Sequence, residues 1–119
     1  LYARSKLGLH AAAFDLQAID MVQTNFSDIE RLTAEARQAA DLGYAGKQVI
    51  HPAQIEPVQR VFTPDQAAIE YALRVIAGAE EAAAGGRGAF SLNGEMVDLP
   101  VIKRAQSILT RARAAGLID

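Results

Sequence analysis

Few stretches of this chain restrict its architecture as tightly as Gly46-Lys47-Gln48-Val49-Ile50-His51-Pro52. It reads as a short buried strand, Lys47–Ile50, that delivers a histidine at its carboxyl end and is stopped by a proline. An amphipathic helix ending at Leu42-Gly43 precedes it, and a short helix opening at Pro52 follows. Helix, strand, turn, helix is the order of a parallel α/β fold. The carboxyl ends of the strands carry the chemistry in such folds, which makes His51 a site candidate by position.

The neighbouring segments fit the same grammar. Leu16–Val22 predicts a first strand, apolar throughout except at Asp20, as a strand covered on both faces requires. Ser27 with Glu30 predicts a capping box for a helix whose apolar face holds Ile29, Leu32, Ala36, Ala39 and Ala40, with Gly43 as terminator. Leu16 to Ile50 therefore has the length of one βαβ crossover. Tyr2 to about Ala13 predicts a helix before it, and Ala53 to Phe62 a short helix after it. Thr63-Pro64-Asp65-Gln66 predicts a second capping box, with proline at the first helical position, and a helix running to Gly85-Gly86. Asn93-Gly94, flanked by Ala89–Leu92 and Glu95–Asp98, predicts a hairpin with a two-residue type I′ turn. Pro100 then starts a last helix with Ile102, Ala105, Leu109 and Ala112 on one face.

Two parallel strands leave both edges of their sheet unpaired, so they are either buried against other copies of the chain or, the favoured expectation, one end of a larger barrel or sheet. The chain also begins at Leu1 rather than at a methionine. Half of its 119 residues are apolar and its net charge is −2, which gives no electrostatic reason to expect nucleic acid or a membrane surface as partner. No apolar run approaches the roughly 20 residues that span a bilayer. Without cysteine there are no disulfides, thiolate metal sites or thiol nucleophiles, a composition that suits a reducing cytoplasm.

Three residues stand out as carriers of chemistry. His51 is fixed by Pro52, and the amides behind that proline suit an anionic or carbonyl group. Asp20 interrupts an apolar strand and must be paired or sit at its exposed end. Asp98 lies between a hairpin and a helix: it is either a helix cap or a carboxylate that a lid, hinged at Gly86-Arg87-Gly88, delivers as a general acid or base. Lys103, Arg104, Arg111 and Arg113 read as a solvated helix face and His10 as structural. No P-loop, dinucleotide fingerprint, zinc site or serine triad is present.

The segments LYARSK, LQAID, GYAGKQVIHPAQI, VFTP and GRGAFSLNGEMVDLP, in that order, resemble the carboxyl-terminal part of the HpcH/HpaI aldolase and citrate lyase β-subunit superfamily, in its citramalyl-CoA and malyl-CoA lyase branch. The resemblance implies residues 1–62 as the last two strand–helix units of a (β/α)8 TIM barrel. It implies residues 63–119 as an extension with a hairpin lid (89–98) and a terminal helix. It further implies a Mg²⁺-dependent carbon–carbon lyase acting on a malyl-, β-methylmalyl-, citramalyl- or citryl-CoA type ester, with an acyl-CoA and a keto acid as partners and a trimer or dimer of trimers as assembly. The family's lid aspartate, which enters a neighbouring subunit, falls on Asp98. Ile50, His51 and Pro52 inherit a CoA-side binding role, with Asp20 as a further substrate-binding candidate. The family's metal-binding glutamate and aspartate and its keto-acid arginine lie on earlier strands; Arg4 does not match that arginine. The resemblance therefore implies no metal ligands in this chain, which alone would be inactive. The competing expectation is a non-catalytic acyl-CoA-binding or oligomerisation module.

Overall fold

The computed structural model describes all 119 residues, Leu1–Asp119. The chain forms two compact units, Leu1–Phe62 and Thr63–Asp119. No helix is long and apolar enough to cross a membrane.

The first unit runs α1 (Tyr2–Ala13), β1 (Ile19–Asp20), α2 (Ile29–Asp41), β2 (Gly46–Lys47), a 3-10 turn (Pro52–Gln54) and α3 (Ile55–Phe62). β1 and β2 pair in parallel, Ile19 opposite Gly46 and Asp20 opposite Lys47. Both strands are shorter than the sequence predicts. The Leu16–Val22 run is not buried on two faces: Leu16, Ile19 and Met21 are exposed. β2 begins and ends earlier than Lys47–Ile50, and Val49 and Ile50 are exposed beyond it. A parallel ladder exists only where a neighbour runs alongside, and each strand here has a single neighbour.

α2 starts one residue later than the predicted box. Asp28, not Ser27, is its cap, and its side chain accepts the Arg31 N–H at 3.0 Å. Asp28 serves because an Asx carboxylate is an equally good cap and lies next in line. Leu32, Ala36 and Ala39 form the buried face. At the far end Gly43, at φ +87°, lets the Tyr44 N–H reach Ala39 O and the Gly43 N–H reach Ala40 O, which closes the helix with a Schellman motif. The chain is thereby turned into β2, and Tyr44 packs with Ala18 and Ala39. Gly8 of α1 meets this turn so closely that an added Cβ would lie 2.7 Å from Leu42 O. A backbone oxygen cannot step aside as a side chain can. Gly8→Ala is therefore expected to destabilise this unit by about 1–3 kcal/mol despite the better helix propensity of alanine, read as a lowered urea midpoint.

The second unit comprises α4 (Gln66–Ala84), β3 (Phe90–Leu92), β4 (Glu95–Val97) and α5 (Leu99–Ala114). α4 is capped by Asp65, which accepts the Ala68 N–H at 2.8 Å, so Pro64 precedes the cap instead of opening the helix. β3 and β4 pair antiparallel with Leu92 opposite Glu95. Asn93 and Gly94 both have positive φ, 52° and 81°, as a type I′ turn demands. Ile69, Ala72 and Val75 of α4, Val97 of β4, and Ala105, Leu109 and Ala112 of α5 form the core. Gly78 leaves room for the Phe90 ring, which would lie 2.4 Å from a Cβ there.

Candidate active site

The parallel register sets Asp20 and Lys47 side by side on adjacent strands at the carboxyl end of β1. Asp20 is 2% exposed, and the Lys47 side chain 1%. The Lys47 ammonium donates to Asp20 Oδ2 at 3.0 Å and to Met21 O at 2.7 Å. Arg4, from α1, closes on the same carboxylate as a fork, Nε to Oδ1 at 3.2 Å and Nη2 to Oδ2 at 3.0 Å. Its Nη1 donates to Gln38 of α2. Glu35, one turn earlier on α2, lies 3.5 Å from Lys47 and accepts from Arg31 at 2.9 Å. A buried aspartate in an apolar strand is tolerated because two cations satisfy both of its oxygens.

Burial pushes the Asp20 carboxyl up, but the hydrogen bonds from Lys47 and Arg4, the Lys47 charge and a backbone hydrogen bond from Met21 together outweigh it. Asp20 is held below its ordinary value of 3.8. A carboxyl more acidic in the folded than in the unfolded chain stabilises the fold above its unfolded value, and that contribution is lost as pH falls through the folded value. The stability gap between the native protein and Asp20→Asn is thus expected to be constant near neutrality and to close below pH 3.8. Urea midpoints measured from pH 7 to pH 3 check this; a gap independent of pH would show that Asp20 is not the ionised hub.

A cleft of about 400 Å³ opens over this network and over the loop that leaves β1, with Arg4, Asp20, Gln23, Arg31, Glu35 and Lys47 among its lining residues. Gln23 and Gln54 tie the two strand ends together. The Gln54 amide donates to Gln23 O at 2.9 Å, and its Oε1 accepts the Ile50 N–H at 2.8 Å. Such a cleft is of ligand size and stands where α/β proteins hold their substrates.

Of the candidates read from sequence, Asp20 lies in this cleft. Ile50, His51 and Pro52 lie beyond β2 and are exposed. His51 is committed locally: its Nδ1 accepts the Ala53 N–H at 3.1 Å, which puts its proton on Nε2, and its ring stacks on Phe26 with centroids 4.4 Å apart. Asp98 is the exposed N-cap of α5, and its Oδ1 accepts the Val101 N–H at 3.4 Å. Lys47, Arg4, Glu35 and Gln54 were not singled out as site residues. A second ionic side chain inside the second predicted strand is the signal by which Lys47 could be found.

Metal binding can be tested on the residues present. No three His, Cys, Asp or Glu side chains converge to hold a cation. Both Asp20 oxygens are engaged by guanidinium and ammonium groups. A divalent cation such as Mg²⁺ does not fit this set.

Paired parallel strands with a charged cleft at their carboxyl ends define the class of the chain as α/β. The family model described as C-C bond lyase of the TIM-barrel fold matches residues 4–117, and the chain belongs to that family. It is similar to mouse mitochondrial citramalyl-CoA lyase, with 48% identity over 94% of this chain and 33% of that protein. It is also similar to the citrate lyase β subunit of Leuconostoc mesenteroides subsp. cremoris, with 45% identity over 100% of this chain and 39% of the relative. Among solved structures, CitE of Mycobacterium tuberculosis, in complex with magnesium, acetoacetate and coenzyme A, superposes with a TM-score of 0.78 at 38% identity over 94% of this chain and 40% of that one. The chain thus spans between a third and two fifths of the length of these relatives.

Proposed function

We propose that this chain is the carboxyl-terminal part of a carbon–carbon lyase acting on the CoA ester of a hydroxy-dicarboxylic acid. The observation that carries the reading is the Asp20–Lys47 pair, set across two parallel strands beneath a polar cleft. The likeness to a citramalyl-CoA lyase and to a protein seen with acetoacetate and coenzyme A supports the substrate class. On this reading Leu1–Phe62 supplies the last two strand–helix units of the barrel, and Thr63–Asp119 an extension whose hairpin is a lid. On the same reading the carboxylates that would hold Mg²⁺ belong to earlier strands, as the family resemblance implies.

Cleavage breaks the bond between the carbon bearing the hydroxyl and the carbon next to the thioester. The hydroxyl proton leaves to a base, the keto product departs, and the electron pair is left as a thioester enolate that must be protonated on carbon. Asp98, delivered to the site of a neighbouring subunit in a trimer or dimer of trimers, is the group assigned to that protonation, with closure excluding water. Ile50, His51 and Pro52 form a ledge on the CoA side; the exposed Phe26–His51 stack supports this by offering a flat apolar surface. Asp20 keeps Arg4 and Lys47 in place at the cleft floor. The cysteine-free sequence supports a reducing compartment, the cytoplasm in our reading.

The test is direct. The intact protein, given Mg²⁺ and each of the malyl-, β-methylmalyl-, citramalyl- and citryl-CoA esters, is expected to release an acyl-CoA and a keto acid from at least one. Cleavage of none refutes the assignment.

A further inference from the structure

The hairpin does not float free of its unit. Phe90 stands opposite Val97 and Leu92 opposite Glu95, so Phe90, Leu92 and Val97 share one face of the two strands. That face lies on the helices: Val97 is 0% exposed within the core of α4 and α5, and Phe90 and Leu92 pack against the same core. Ser91 and Met96, on the other face, are exposed. The edge of the Phe90 ring fills the notch that Gly78 leaves in α4. A Cβ at position 78 would lie 2.8 Å from its Cζ and 3.2 Å from its Cδ2, with Cε2 nearer still. Asp98 follows Val97 directly. Its place is set on one side by that buried valine and on the other by the first turn of α5, which it caps. A swing of the hairpin on Gly86-Arg87-Gly88 alone would draw Phe90 and Val97 off the core.

We infer that Phe90 is a positioning residue: seated at Gly78, it locks β3 and, across the strand pair, Val97 against the helices, and so fixes where the Asp98 carboxylate is presented. The proton-transfer role of Asp98 rests on the lyase reading; the seating of the hairpin does not. A proton donor has to come close to its target carbon, and a misplacement of about 1 Å costs up to about 100-fold in rate. Gly78→Ala fills the notch. The new methyl is fixed on the helix backbone, so the ring has to leave and the hairpin loses its seat, while α4 gains a better helix former.

Turnover of the ester that the intact protein cleaves, and hydrogen exchange of the β3 and β4 amides, test the assignment on the same variants. In the native protein the hairpin is expected to exchange together with the buried turns of α4 and α5. Gly78→Ala is expected to speed exchange in the hairpin selectively and to lower kcat about 10- to 100-fold with KM little changed. Adding Phe90→Leu, whose smaller side chain fits beside the new methyl, is expected to restore slow exchange and most of the turnover, which guards against a general folding defect. In the Asp98→Asn protein, Gly78→Ala is expected to cause no further loss, because two changes that act through one carboxylate are not additive. A hairpin that exchanges freely in the native protein overturns the proposal. So does full turnover in Gly78→Ala, a loss that Phe90→Leu does not repair, or one that multiplies onto Asp98→Asn. The two readings fail differently. Cleavage indifferent to Gly78→Ala rejects the Phe90 role alone, whereas no cleavage of any ester by the native protein rejects the lyase and takes the role of Asp98 with it.

Discussion

Asp98→Asn is expected to lower turnover of the CoA ester by about two to four orders of magnitude and to leave the unfolding midpoint nearly unchanged. The prediction rests on what the side chain does within its own chain. Asp98 has the extended backbone of a helix cap, φ −119° and ψ −175°, and one of its oxygens accepts the Val101 N–H at a long 3.4 Å. Asparagine caps a helix about as well as aspartate, so the fold of Thr63–Asp119 should tolerate it, less a few tenths of a kcal/mol for the lost charge at the helix start. An amide, however, cannot hold and release a proton. Asp98→Ala removes both functions and is expected to show the same loss of turnover plus about 1 kcal/mol of destabilisation. The comparison separates two readings that sequence left open. Full turnover in Asp98→Asn, with only Asp98→Ala impaired through stability, means that the carboxylate is a cap and the lid role is wrong.

Local signals in this sequence are more legible than distant ones. Asn93-Gly94 specifies its hairpin because two consecutive positive φ angles are needed and these two residues supply them. Gly43 ends α2 for the same reason. Cap positions slipped by one or two residues, to Asp28 and Asp65, since several neighbouring side chains could each serve and tertiary position chooses among them. The strands, Ile19–Asp20 and Gly46–Lys47, are shorter than the apolar runs Leu16–Val22 and Lys47–Ile50 predict, and the second begins one residue earlier. Apolar character reports that a segment is able to be covered, whereas the ladder exists only where a neighbour is present. The site was the least legible part. Asp20 announced a need for partners, but Lys47 and Arg4 lie 27 and 16 residues away in sequence. Their convergence is fixed by strand register and by the seating of α1, neither of which a local pattern encodes.

Substitutions in that charged network should rank by which charge each leaves stranded. Asp20→Ala strands Lys47, whose side chain is 1% exposed and would keep the Met21 carbonyl and Glu35 at 3.5 Å. Lys47→Met leaves Asp20 with the two-pronged guanidinium of Arg4, and Arg4, at 25% exposed, retains access to water. Removing one member of a buried pair typically costs about 3–5 kcal/mol, mostly from the uncompensated partner. Asp20→Ala is therefore expected near the top of that range and Lys47→Met at or below its lower end, measured as unfolding free energies of Leu1–Phe62 by urea titration at pH 7. The pair Asp20→Leu with Lys47→Met removes both buried charges and should recover part of the loss relative to Asp20→Ala, because no ammonium then remains stranded. Were Lys47→Met the more damaging single change, or the double variant weaker than both singles, the network would be held by packing around the lysine stem and not by the aspartate at its centre.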